Sequence, residues 1–301
     1  MPGMEDMAHQ VPLCTLCVAS VCVFLQVYVV VFDTPIENFT LVAANVIYLG
    51  EYYRIISAAL LHGGMMHILF NMMSFLSIGS GLERAIGTLA MTFTILWSIL
   101  LAGAIYVGAE WALTVWVTND AQYVYQNAVG FSGVIFTLAL MECYRSSQTT
   151  RSLFGMVQVP TRVYPWALLV LLSVVVPGIS FMGHLSGILV GMMHVYGVTK
   201  PIMPSKAHCA EMDSYEFVRN GIGRRQNFIA APQPLPGAAD SEQLASVVSL
   251  QGICDPIAAA VRAGRRSLVG FARSATGRIR GSNASSNGDI EATGASVISH
   301  V

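Results

Sequence analysis

One serine, three histidines and one asparagine carry the chemistry this chain can offer inside its apolar segments. Ser132 stands in QNAVGFSGVIFTL (126–138) between Gly130 and Gly133, so the chain around it lacks bulk. His62, His67 and Asn71 fall in HGGMMHILFN, and His184 falls in GHLSGILVG. A serine hydroxyl becomes a useful nucleophile when a neighbouring base takes its proton, and imidazole is the usual base. A second imidazole and an amide could then donate hydrogen bonds to the oxyanion of an attacked carbonyl. Each residue also has a plainer reading. A lone serine in a membrane helix can bond back to its own backbone. His67 and Asn71, four residues apart, can form an interhelical polar pair. His184 can be a buried structural histidine, and His62 reads as structural or water-organising. His62, His67 and His184 could also ligate a metal, but no carboxylate or cysteine lies at their depth to complete the set, so no metal is expected. What decides between these readings is whether separate helices bring the groups together.

The elements that must do so are membrane spans. The chain is 54% hydrophobic and 11% charged, where a soluble domain carries about a quarter charged residues. Its mean hydropathy is +0.60. A net charge of −1 is not a nucleic-acid signal, and no nucleic acid is expected as a partner. Six apolar runs are legible: 11–32, 65–80, 88–107, 127–145, 163–176 and 181–198. The first is about 22 residues long, enough to cross a bilayer core. It lacks a basic leader and a small-residue cleavage site, which favours a retained span over a signal peptide.

Loop charge sets the orientation. The second-to-third and fourth-to-fifth connections hold Arg84, Arg145, Arg151 and Arg162, whereas the other three hold only Arg54. Basic loops stay cytosolic, so both termini are expected in the cytosol and the odd loops on the lumenal or outer side. The first of these odd loops carries the glycosylation sequon Asn38-Phe39-Thr40. Spans two, four and six then all run inward from the lumenal face. His67, Ser132 and His184 fall within roughly one to two turns of that face, and Asn71 lies one turn below His67. Gly183, Gly187 and Gly191 recur every four residues, leaving a face on which another backbone can close. Span four, with Gly130 and Gly133, is the natural neighbour. Close approach would bring the His184 imidazole to the Ser132 hydroxyl, beside the unpaired N–H groups and positive dipole end of a helix start.

The expected organisation is a cytosolic stretch over 1–10, an all-α six-helix membrane domain over 11–200 and a cytosolic tail over 201–301. The tail is rich in Ala, Ser, Gly and Pro and is expected to be mostly disordered. Within it, 255–273 patterns as a basic amphipathic helix. Ile257, Val261 and Leu268 form one stripe, and Arg262, Arg266 and Arg273 form another, suited to anionic lipid or a partner surface. The six cysteines form no disulfide framework or metal-ligand spacing, and Cys14-x-x-Cys17 has no second pair nearby. No cofactor is expected.

Taken together, HGGMMHILFN, GFSG and GHLSGILVG, in this order and spacing, resemble the rhomboid family of intramembrane serine proteases over roughly residues 10–200. The six spans, the FSGVIF wording and the PGISFMGHLSGILVG ending look most like the six-span rhomboid-domain proteases of the endoplasmic reticulum that carry a cytosolic tail. The resemblance implies a rhomboid helical bundle and a Ser–His dyad, with Ser132 as nucleophile and His184 as general base and acid. It places His67, the Asn71 amide and the Ser132 backbone N–H in an oxyanion hole, with Gly130, Gly133, His62, Phe136 and Gly187 in support. Glu83-Arg84 and Gly87 look like the family's turn after span two, and Tyr53-Arg54 fills the place of its aromatic–arginine pair. Two positions depart from the pattern: Phe136 stands where many members have tyrosine, and Tyr53 where they have tryptophan. The implied activity is endoproteolysis of single-pass or polytopic membrane proteins near the lumenal face, in the endoplasmic reticulum or another secretory membrane. A cytosolic degradation partner for the tail is implied by the same resemblance. The competing reading is an inactive rhomboid-like protein that binds membrane clients for quality control.

Overall fold

Long apolar runs cannot leave backbone N–H and C=O groups unpaired in lipid, so they must become helices. The computed structural model describes residues 11–153 and 155–232. Three of its helices are long and apolar enough to cross a membrane: α1 (Leu13–Val31), then α4 (Met65–Ile86) and α5 (Thr88–Ala112). Between α1 and α4 lie two short helices, α2 (Ala43–Leu49) and α3 (Arg54–Leu60). The bundle is completed by α6 (Ser132–Arg145), α7 (Tyr164–Val175) and α8 (Phe181–Val195). The strands are short. β1 (Leu41–Val42) pairs antiparallel with β2 (Asn127–Ala128), and β3 (Thr150–Leu153) pairs with β4 (Val157–Pro160) in a hairpin between α6 and α7.

Three span limits differ from the sequence expectation. The second span does not stop at Ser80, because GLERAI continues α4 and Gly87 closes it. The third span runs past Val107. Glu110, expected in a connection, sits in α5 with its side chain packed inward and 1% exposed, which keeps the carboxyl out of lipid. The fourth span does not begin at Asn127. Residues 127–128 are held in the small ladder with the first loop, and Gly130, with φ +117, breaks the chain direction before the helix starts at Ser132.

The first loop is built on Arg54. Arg54 is 5% exposed, and its guanidinium donates to the Glu37 and Thr40 carbonyls at 2.9 and 2.8 Å and to the Glu51 carboxylate. The Asn45 amide and then Arg54 hold the Glu51 carboxyl below the usual carboxylate range. Tyr53 donates its hydroxyl to the Asn38 carbonyl at 3.0 Å. The aromatic–arginine pair therefore folds the loop that β2 pairs with.

At the end of α4 away from His67, the helix ends are tied in one clasp. The first turn of α1 exposes N–H groups with no partner inside the helix. Glu83 accepts from the backbone N–H of Cys14 and Thr15 at 2.9 and 2.8 Å and from the Thr15 and Thr88 hydroxyls at 2.7 and 2.8 Å. Asn227 O accepts from Leu13 N–H at 2.9 Å, and Ile229 O accepts from Thr88 N–H at 2.7 Å. The family-like Glu83 thus lies inside a helix and caps another one; it is not part of a turn.

Within the stretch expected to be mostly disordered, residues 201–232 are folded. Folded chain continues beyond residue 200 into α9 (Lys206–Ser214) and α10 (Glu216–Asn220), then returns to the clasp. Ser205 caps α9, Cys209 and Val218 are buried, and Asp213 accepts from Ala231 N–H. Composition missed this because backbone pairing with two span ends, rather than a large apolar face, holds the segment. The expected amphipathic helix at 255–273 lies outside the described residues, as do residues 1–10. Because Leu13 bonds to Asn227, the described chain enters and leaves the bundle at the same end.

Candidate active site

Small residues allow the central contact. Helices α6 and α8 meet backbone to backbone: a Cβ added at Gly187 would lie 2.0 Å from the Gly133 carbonyl oxygen, and one at Gly191 would lie 3.0 Å from the Thr137 carbonyl oxygen. The Thr137 hydroxyl bridges the seam, 2.8 Å from Gly187 O. Ser180 caps α8 by accepting the Gly183 N–H at 3.1 Å, and its own carbonyl accepts the His184 N–H at 3.2 Å. His184, on the first turn of α8, then reaches Ser132, the first residue of α6. The His184 Nε2 to Ser132 Oγ distance is 2.8 Å.

The ring of Phe136 lies under that imidazole, with centroids 4.6 Å apart and planes tilted by 30°. The absent tyrosine hydroxyl costs no stacking. His184 is 6% exposed, and its Nδ1 has no hydrogen-bond partner among the described residues. No carboxylate among them orients it, so the contact is a two-residue pair among the described residues. Facing Ser132 Oγ with an unprotonated Nε2 requires the proton on Nδ1.

The turn before Ser132 is held from the other side. Gly130 N–H donates to Ala58 O at 2.8 Å, and Phe131 N–H donates to His62 Nε2 at 3.4 Å. His67 lies against Gly130, where an added Cβ would come within 2.8 Å of Nε2. The His62 and His67 rings meet edge to face at 5.2 Å. His62 is completely buried and is spent on the turn, in keeping with a structural role. Asn71 is 7% exposed and gives one amide hydrogen to His67 O at 2.9 Å, leaving the other available. No hydrogen bond joins His67 or Asn71 to the Ser132 hydroxyl among the described residues.

The structure thus brings Ser132, His184, Phe136, Gly133 and Gly187 into one contact set, with Gly130, His62 and His67 in an adjoining one. Asn71 stands one turn deeper on the helix of His67. Sequence reasoning missed three supporting groups. Ser180 is readable as an N-cap, a serine three residues before Gly183 at a helix start. Thr137 carried no such signal. Neither did Tyr106, whose buried hydroxyl donates to Gln126 O at 3.2 Å and steadies the strand leading to the serine.

A helical multi-pass membrane protein with a Ser–His contact at a helix start defines a narrow class. A rhomboid domain matches residues 49–201. The chain is 32% identical over 228 residues to Rhomboid-like protein 15 of Arabidopsis thaliana, covering 73% of this chain and 55% of that protein. It is 36% identical over 157 residues to Rhomboid-related protein 4 of Mus musculus, covering 52% and 49%. It is 30% identical over 155 residues to Rhomboid-type serine protease 2 of Debaryomyces hansenii, covering 49% and 51%. The chain spans about half the length of these curated relatives. It belongs to the rhomboid family, which includes serine proteases.

Proposed function

We propose that this chain is an intramembrane serine endopeptidase that cuts transmembrane segments of other membrane proteins by a Ser132–His184 dyad. The observation that carries this reading is the 2.8 Å contact between His184 Nε2 and Ser132 Oγ. Ser132 Oγ attacks the scissile carbonyl carbon while His184 Nε2 takes its proton; the imidazolium then protonates the departing amine. Water, deprotonated by the same imidazole, hydrolyses the acyl-enzyme and restores the serine. The oxyanion is stabilised by the Ser132 backbone N–H, by His67 and by the second amide hydrogen of Asn71. The α6 dipole points its positive end at the same place.

Depth supports the reading as well. Helix α6 has 14 residues and rises about 21 Å, less than the roughly 30 Å apolar core. With Arg145 at one headgroup layer, Ser132 stands inside the bilayer, and water reaches it from the mouth above β2. The basic loops support a lumenal mouth and cytosolic termini, and the likeness to rhomboid-related relatives supports the endoplasmic reticulum or another secretory membrane. An engineered glycosylation site in residues 119–126 tests this orientation: glycan addition is expected, and an unmodified loop in a folded protein reverses it.

Alanine at Ser132 or at His184 should lower cleavage of a single-pass substrate by about 10⁴-fold or more. Unchanged cleavage by either variant overturns the mechanism. A fluorophosphonate probe should label wild type and not the Ser132→Ala protein. A non-catalytic client-binding protein would leave Ser132 unlabelled. Comparing the membrane proteomes of cells carrying wild type and Ser132→Ala would name the substrates, which should accumulate in the variant.

A further inference from the structure

The segment that follows the last bundle helix does more than close the clasp. Asn227 O is 2.9 Å from the N–H of Leu13, the first residue of a 19-residue apolar helix, and Ile229 O is 2.7 Å from the N–H of Thr88, the first residue of another. Those bonds fix residues 227–229 at the level where the apolar helices begin, which is the headgroup boundary of the bilayer. The stretch just before them, YEFVRNGIGRR (215–225), is held there by the burial of Val218 beneath it. It nonetheless leaves Phe217 77% exposed, Tyr215 43% and Ile222 42%, with Arg219, Arg224 and Arg225 also exposed and Glu216 its one acidic residue. A phenylalanine left this open in a folded, hydrogen-bonded segment is out of place in water. At headgroup depth, aromatic rings and arginines both have partners.

We infer that residues 215–225 form a peripheral membrane anchor. Phe217, Tyr215 and Ile222 enter the lipid interface, and the three arginines meet anionic phospholipid headgroups of the leaflet at the clasp end. The occupant is lipid because the patch is continuous with the membrane surface that the spans define, and because its charge complements an anionic leaflet. The anchor would hold the Asn227–Ala231 strap against α1 and α5 through the bilayer as well as through protein contacts. It does not depend on catalysis by Ser132.

The test uses the full chain reconstituted in vesicles. Phe217→Trp adds one reporter to the four native tryptophans, and the wild-type signal is subtracted. Lipids brominated on the upper acyl carbons should quench the added emission; an unquenched, water-like emission overturns the insertion. Hydrogen exchange of 206–232 should slow in phosphatidylserine-containing vesicles relative to pure phosphatidylcholine, by about fivefold for each arginine engaged. The Arg219→Gln/Arg224→Gln/Arg225→Gln protein should lose that difference while the Leu13 and Thr88 amides stay protected. Equal exchange of the wild-type segment in both vesicles overturns the headgroup contact. Protection that rises with protein density, with the added reporter unquenched, assigns the patch to a second copy of the chain and overturns the proposal.

Discussion

At the scale of single residues, the proposed site depends on His184 having one partner on each side and, among the described residues, no third group to orient it. Ser132 lies at 2.8 Å and the Phe136 ring at 4.6 Å. A dyad without a carboxylate must hold its imidazole by packing and by the helix it stands on. Phe136 supplies the packing, so Phe136→Leu should lower kcat by about tenfold with KM nearly unchanged, as lost positioning does. Phe136→Tyr keeps the ring and should retain most of the activity. Single-turnover cleavage of a fluorogenic transmembrane peptide separates the two parameters.

At the scale of elements, the contact between α6 and α8 brings His184 to Ser132. Gly187 has no room for a methyl group, since its Cβ would lie 2.0 Å from the Gly133 carbonyl oxygen. Neither backbone can yield locally, so Gly187→Ala must push the helices apart and lengthen the His184–Ser132 contact. A misplacement near 1 Å costs about 10²-fold in rate, and overpacking costs about 1–3 kcal/mol in stability. The expected result is cleavage reduced about 10²-fold and a lowered Tm. Gly81, where an added Cβ meets nothing within 4 Å, serves as the control, and Gly81→Ala should be neutral in both assays. The spacing of Gly183, Gly187 and Gly191 was legible as a packing face. A helix start near Ser132 was legible, but that the helix begins at Ser132 itself and not at Asn127 was not, because the break at Gly130 depends on a ladder with the distant Leu41–Val42.

At the scale of the whole molecule, the bundle has a working end and a fastened end. His67 and Glu83 are the landmarks on α4: sixteen residues separate them, a rise of about 24 Å. Around Glu83 the first residues of α1 and α5 are joined to Asn227 and Ile229, so the strap after α8 belongs to the folded domain. A chain ending at residue 232 should match the full chain in Tm. One ending at residue 226 loses the acceptors for Leu13 and Thr88 and should melt several degrees lower, at about 1–3 kcal/mol for each orphaned donor. Identical melting of the two truncations would show that water replaces the strap without loss.

Sequence alone set the class of molecule and nominated its candidate reactive groups. Apolar run length dictates helices in lipid, and loop arginines with helical rise put Ser132, His67 and His184 at one depth. A glycine every fourth residue announces a close helix contact. Tertiary structure alone decided which backbones meet there, which way each imidazole points and how the chain after α8 folds back on the span ends. The physical reason is that each of these depends on pairings distant in sequence: His184 with Ser132, His62 with Phe131, Glu83 with Cys14, and Asn227 with Leu13. Composition and periodicity report a residue's own surroundings along the chain. They are silent about a backbone donor that finds its acceptor at the far end of the fold.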